Sequence, residues 1–341
     1  MKFDVTIFPD HLNEAGKLAE QVEAYGFKGL WTAEAAHNPF LPLTHAASRT
    51  RKISLGTGIA IAFPRSPMVT AQIAWDLAAQ SEGRFILGMG TQIKAHITKR
   101  FGMDWTAPVP RLREYVESLH AIWNCFQTGE KLHYKGESYQ FSLMTPFFNP
   151  GPIANPKIPI YIAGVNHGLC RLAGELTEGF HIHPFHTKAY LEQNILPAIQ
   201  EGAEAKGRSL ADIERSCAIF VVTGNNPDEI EQNKIAIKSQ IAFYASTPSY
   251  SPVLELHGWQ DIVPRLNNLL RRNQWDEMWR EISDEMLQAF AVIAPPDELP
   301  AAVEERYQGL LDRVGYYFPF NPDEADKASI WKAASDYFGG D

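Results

Sequence analysis

The sequence predicts a closed (β/α)8 barrel, and three observations carry that expectation. Eight short apolar runs alternate with eight helical stretches along almost the whole chain, a pattern that favours a parallel sheet with helical crossovers. The length, 341 residues with 45% hydrophobic side chains, accommodates a barrel of roughly 250 residues plus insertions. An open doubly wound sheet usually needs only about five or six strands, and no Gly-x-Gly-x-x-Gly lies between the first strand and the first helix.

The strand Lys2–Phe8 opens the chain and leads into a helix over His11–Tyr25. Gly26 ends that helix as a C-cap glycine, and the strand Gly29–Ala33 follows. A helix at Leu41–Ser48 precedes the strand Ile53–Ile59, and a Pro-rich turn introduces the helix Pro67–Gln80. The strand Arg84–Gly90 leaves through Gly88-Met89-Gly90-Thr91, where backbone can approach a ligand closely. The helix Pro110–Phe126 lies between two insertions, about 91–109 and 127–157, rich in aromatics, Pro and Gly. The strands Ile158–Ala163, Gly179–His183, Ser216–Thr223 and Val314–Phe318 then alternate with helices at Leu169–Leu176, Thr187–Lys206, Asp228–Tyr244 and Pro296–Leu311. A third insertion, about 246–289, carries Trp259, Trp275 and Trp279 and is expected to add short helices. Residues 1–341 read as one domain with its insertions on the C-terminal rim, where barrel enzymes build their sites.

A net charge of −9, from 40 acidic and 31 basic residues, argues against nucleic acid as the main partner. Cys125, Cys170 and Cys217 are far apart with no Cys-x-x-Cys, which argues against a disulfide scaffold or a structural zinc site. The start, Met1-Lys2-Phe3-Asp4, lacks the apolar stretch of a secretory leader. No run of about 18 apolar residues reads as a membrane span, so a cytoplasmic protein is expected.

Several separate elements resemble the luciferase-like monooxygenase superfamily, whose members use flavin or the deazaflavin coenzyme F420. They are Leu55-Gly56-Thr57-Gly58, Ser66-Pro67, Asp76-Leu77, Gly83-Arg84-Phe85 and Leu87-Gly88-Met89-Gly90, in this order. Phe63-Pro64-Arg65-Ser66-Pro67 and Leu143–Pro152 look closest to the probable F420-dependent oxidoreductases. The resemblance implies a TIM barrel, an oxidoreductase acting on a small molecule, and F420 as cofactor with FMN as the alternative. In the FMN case, a monooxygenase would draw reduced flavin from a separate reductase. A homo-oligomer is also expected, and a non-catalytic flavin-binding barrel is the reading from another class.

Candidate site residues gather at the strand exits. The turn Gly164-Val165-Asn166 lies between a strand and a helix, where free N–H groups and the helix dipole can hold a phosphate; an ordinary βα turn looks the same. With Pro159–Gly164, Arg171–Glu175 and Glu178-Gly179-Phe180, it resembles the superfamily's cofactor-phosphate segment. The resemblance also implies a non-proline cis peptide at Gly58-Ile59, behind the cofactor ring.

Glu34 stands where relatives place an acid near that ring, but Ala35 replaces the histidine expected next to it. His37, two residues on, is the candidate substitute for that base, or a structural loop residue. Likewise Ile93 stands where sugar-phosphate-oxidising relatives carry a proton-donating Glu. Thr91 completes the ring of exits, with Lys94, His96 and Arg100 beyond it as a basic cluster for an anionic group or simply a solvated loop. His181 and His183 share one strand face and His186 follows; a polar substrate wall formed by His183 and His186 is preferred to a metal site.

Overall fold

A computed structural model of the chain describes residues 1–340. Eight parallel strands form its centre: β1 (Lys2–Ile7), β2 (Gly29–Thr32), β3 (Ser54–Thr57), β4 (Phe85–Gly90), β5 (Ile160–Gly164), β6 (Gly179–Ile182), β7 (Glu214–Ile219) and β8 (Arg313–Tyr316). Each pairs with its neighbour in sequence, and β1 pairs with both β2 and β8. The β3–β4 pairing, Leu55 opposite Phe85, completes the ring. The sheet is therefore a closed (β/α)8 barrel with no free edge.

The strands are apolar because both of their faces are covered. Phe3, Val5, Leu30, Leu55, Phe85, Leu87, Ile160, Ile162 and Phe180 are all buried. The barrel interior admits large rings because glycines line it. A side chain at Gly56 would overlap the Trp31 ring, and one at Gly88 would sit 1.8 Å from the Thr57 carbonyl oxygen and 2.7 Å from His181 Nε2. Trp31 packs edge-on against His181, ring centres 4.7 Å apart.

Local chemistry explains where the elements depart from expectation. The long helix expected over Thr187–Lys206 forms continuously over Lys188–Glu204, with a π-helical turn at Leu191–Ile195 just before Pro197, which has no backbone N–H to donate. The helix expected over Pro296–Leu311 shortens to Leu299–Tyr307, and Gly309, at φ +77°, turns the chain left-handed beyond it. The strand expected to reach Thr223 ends at Ile219; Val221–Val222 instead pairs with Val292–Ile293, a small sheet not foreseen. A terminal helix, Ala328–Phe338, was also not foreseen, and its Trp331 packs on Phe27, Phe318 and Phe320. Residues 246–290 carry helices at Ser251–Glu255, Ile262–Arg271 and Asp284–Phe290. No described helix is long and apolar enough to cross a membrane.

Candidate active site

A cavity of about 490 Å³ opens at the C-terminal ends of the strands. Its floor is polar and buried. The Asp4 carboxylate accepts from Arg313 Nε (2.6 Å) and Nη2 (2.9 Å) and from the Trp31 indole N–H (2.9 Å). Asp4 and Arg313 are 2% and 1% exposed, so each charge depends on the other for compensation. Burial would disfavour the Arg313 cation, yet Asp4 and Glu214 hold its pKa above the ordinary value. Glu214 accepts from Lys2 at 2.6 Å and from the Tyr161 hydroxyl. Burial opposes its ionisation, but these donors and Arg313 pull its pKa below the usual value.

His181 sits on this floor. Burial and the nearby Arg313 cation push its pKa down to about 3, so the imidazole is neutral at neutral pH. Its buried Nε2 has no hydrogen-bond partner in the chain.

The rim is built by β2 and β3. Glu34 uses both carboxylate oxygens on Arg65, at 2.7 and 2.8 Å, and one of them also accepts from the Ile61 N–H at 2.7 Å. The Glu34 N–H donates to the Ile59 carbonyl (3.1 Å), and the Gly58 N–H donates to the Thr32 carbonyl (2.8 Å). The Gly58-Ile59 peptide is cis, as the resemblance implies. Glu34, Gly58 and Ile59 thus lie together on the cavity wall. Glu34, expected as an acid near the ring, is paired by Arg65 and braces the 58–61 segment.

Opposite stands an aromatic wall. His183 stacks on Tyr250 (4.8 Å between ring centres) and meets the edge of Tyr244 (4.6 Å). Its Nδ1 accepts the Phe185 N–H, which leaves the ring proton on Nε2, 3.3 Å from the Tyr250 hydroxyl. Burial, with His186 nearby, lowers the His183 pKa to about 3. Tyr244 and Tyr317, both lining the cavity, share a hydroxyl–hydroxyl hydrogen bond of 2.5 Å. Burial raises the pKa of both, so both stay protonated.

Six sequence candidates lie outside the cavity lining: His186, Thr91 and His37, and, just past Ala163 at its edge, Gly164, Val165 and Asn166. His186 does not join the substrate wall: it is 1% exposed, and its Nδ1 bonds the His183 carbonyl at 2.8 Å, because the chain turns inward at Pro184. Burial lowers its pKa to about 4. Thr91 is buried with its hydroxyl on the Gln92 carbonyl, and Gln92, at φ +59°, faces the cavity instead. His37 is exposed and lines a neighbouring groove rather than the main cavity. Among the described residues, no group of three His, Cys, Asp or Glu side chains is placed to hold a metal ion.

The turn after β5 follows Ala163, a cavity residue. Val165 is buried, and Asn166 begins the helix His167–Leu176. No side chain caps this N-terminus and no acidic residue lies in its first turn, while the Asn166 amide donates to the Ser249 carbonyl (3.1 Å). Gly164 packs directly on Leu169, since a Cβ there would stand 2.6 Å from Leu169 Cβ.

Sequence reasoning missed Asp4, Arg313, Arg65, Tyr244 and Tyr317. The first two carried a signal: ionised residues inside otherwise apolar strands need partners. The tyrosines carried none, because one lies on a long helix and one beyond a strand end.

Comparisons with known proteins agree with this architecture. An uncharacterized protein of Mycobacterium tuberculosis is 45% identical over 330 residues, 97% of each chain. The 5,10-methylenetetrahydromethanopterin reductase of Archaeoglobus fulgidus is 28% identical over 337 residues, 95% of each chain. The solved structure of the coenzyme F420 dependent tetrahydromethanopterin reductase from Methanopyrus kandleri superposes with a TM-score of 0.80 at 23% identity, covering 98% of this chain and 97% of that one. The family model for luciferase-like monooxygenases matches residues 1–313, and the chain belongs to that family.

Proposed function

We propose that the chain is an oxidoreductase that binds coenzyme F420 and passes hydride to or from a small, uncharged organic substrate. The carrying observation is the cavity's electrostatics. Of its lining groups, Asp4 and Glu34 are held by arginines, and His181 and His183 are neutral. Such a wall suits an uncharged reacting centre. The 28% identity to a 5,10-methylenetetrahydromethanopterin reductase over 95% of both chains, together with the likeness in fold to a coenzyme F420 dependent tetrahydromethanopterin reductase, supports the deazaflavin over FMN.

The residues present fit the cofactor. Gly58 and Ile59 with the Glu34–Arg65 brace would back its ring, and the uncapped turn Gly164-Val165-Asn166 would meet its phosphate. When bound, the cofactor supplies the hydride-carrying ring. The chain supplies orientation, a dry pocket and a proton. Tyr244 and Tyr317 have two hydroxyl hydrogens and only one hydrogen bond between them, so one hydrogen remains for a substrate acceptor atom. His183, fixed as the Nε2-protonated form, orients Tyr250 rather than acting as a base at neutral pH.

The test mixes the chain with reduced F420 and a panel of neutral carbonyl and imine acceptors under argon. Faster cofactor oxidation than in enzyme-free controls supports hydride transfer. Turnover only with reduced FMN and oxygen would replace this reading by a monooxygenase fed by a flavin reductase. Binding without any turnover would leave a carrier.

A further inference from the structure

A second groove, about 330 Å³, lies beside the main cavity between the exits of β1 and β2. Phe8, Ala33 and Ala35 belong to the linings of both, so the two spaces adjoin across small side chains and one aromatic ring. Most of its wall is apolar, with Ile7, Phe8, Pro9, Leu12, Leu41 and Pro42, while Asp10, Thr32, His37 and Asn38 add polar groups. Three of these are large hydrophobics left exposed, Phe8 at 49%, Leu12 at 43% and Leu41 at 50%. Exposed apolar side chains scattered singly need no account, but three around one concave space adjoining a reaction cavity do.

The groove is also a fixed feature. The Thr32 hydroxyl donates to the Pro39 carbonyl at 2.6 Å, and the Phe40 N–H donates to Asn38 Oδ1 at 2.9 Å. The Arg100 guanidinium holds the Ala35 carbonyl. These bonds shape the loop before any ligand arrives.

We infer that this groove takes the apolar tail of the substrate, whose uncharged reacting head occupies the main cavity. The inference rests on the proposed oxidoreductase reading and narrows its substrate class to amphiphilic molecules with a neutral head and a hydrocarbon tail. A cavity that presents no free charge selects the head, and a groove lined by Phe8, Leu12 and Leu41 selects the tail. The gain expected from each buried methylene is about three- to fourfold in affinity.

The experiment measures binding of methyl n-alkyl ketones, from methyl ethyl to methyl octyl, to the cofactor-free chain by saturation-transfer NMR. Dissociation constants should fall about three- to fourfold per added methylene and then level off once the groove is filled. Leu12→Asp and Leu41→Asp are the matched variants. Both positions open a helix and are exposed, so an acidic residue there agrees with the helix dipole and the variants should fold. Each should flatten the chain-length dependence while the methyl ethyl ketone keeps its affinity.

A wild-type series with no length dependence overturns the inference, as does a dependence that both variants retain. Sedimentation that shows a wild-type dimer and monomeric variants would also overturn it, by giving the groove to a second copy of the chain. Because the series needs no cofactor, failure to bind F420 would leave this result standing, and the reverse also holds.

Discussion

Asp4–Arg313 on the cavity floor and Glu34–Arg65 on its rim are both two-point carboxylate–guanidinium pairs, with N···O distances of 2.6–2.9 and 2.7–2.8 Å. Their surroundings differ. The floor pair joins the first and last strands of the barrel, and its side chains are 3% and 2% exposed. The rim pair ties a strand-exit loop to the segment carrying Gly58 and Ile59, with 15% of the arginine side chain exposed. The same chemistry therefore closes the fold in one place and shapes the site in the other. A buried pair adds little net stability over an apolar replacement, but breaking it strands a charge. At the rim, water can compensate in part, so the main loss there is positional.

The largest expected effect tests the floor. Arg313→Met leaves Asp4 with only the Trp31 N–H, and unfolding free energy in urea should drop by about 3–5 kcal/mol. The double variant Asp4→Leu/Arg313→Leu should recover much of that loss. Equal damage in both variants would show that packing, not the stranded carboxylate, sets the cost.

Arg65→Met should lower unfolding free energy by less, about 1.5–3 kcal/mol, since Glu34 keeps the Ile61 N–H. Its signature is a cofactor dissociation constant raised more than that of any stability-matched floor variant. If floor and rim variants lose affinity in proportion to stability alone, the division between them fails.

The histidines sharpen the contrast through pH. His181, His183 and His186 titrate near 3 to 4 in the folded chain, against about 6.5 unfolded. Below pH 6.5 the unfolded chain binds more protons, so stability falls as pH drops from 6.5 toward 4. The slope should approach about 1.4 kcal/mol per pH unit for each histidine. Above pH 7 they contribute no slope. Urea midpoints between pH 7 and 5 check this, and His183→Gln should remove about a third of the slope over that window.

The smallest effect probes the phosphate turn. Replacing Gly164 with Asp is a poor test, because any side chain there strikes Leu169. His167→Asp instead puts a negative charge at the exposed start of the helix, which the helix dipole favours, but it gives up the His167 Nε2–Glu201 contact at 2.8 Å and faces that carboxylate. The dipole gain and the lost Glu201 contact should largely offset each other in stability, while cofactor affinity falls about two- to fivefold, the equivalent of about 0.3–1 kcal/mol.

The barrel was legible in the sequence because its strands are continuous apolar runs and its helices keep their period. The unforeseen parts obey other rules. The π-turn before Pro197 leaves its helix continuous, so periodicity does not reveal it, and the terminal helix follows a stretch of turns that hides its onset. At the site, Glu34, Gly58, Ile59 and His183 stand on one cavity because strand exits converge on one face whatever the detailed packing. His183 and His186 were separated only by a turn at Pro184, which alternation along a strand cannot foresee. Tyr244 and Tyr317 are 73 residues apart and meet through tertiary packing alone.

The most direct measurement is a titration of the purified chain with F420 and, separately, with FMN, followed by cofactor fluorescence and by the mass of the complex. Saturable one-to-one binding of F420 is expected, weaker for Arg65→Met and His167→Asp than for the wild type. Binding of FMN alone, or of neither, would contradict it.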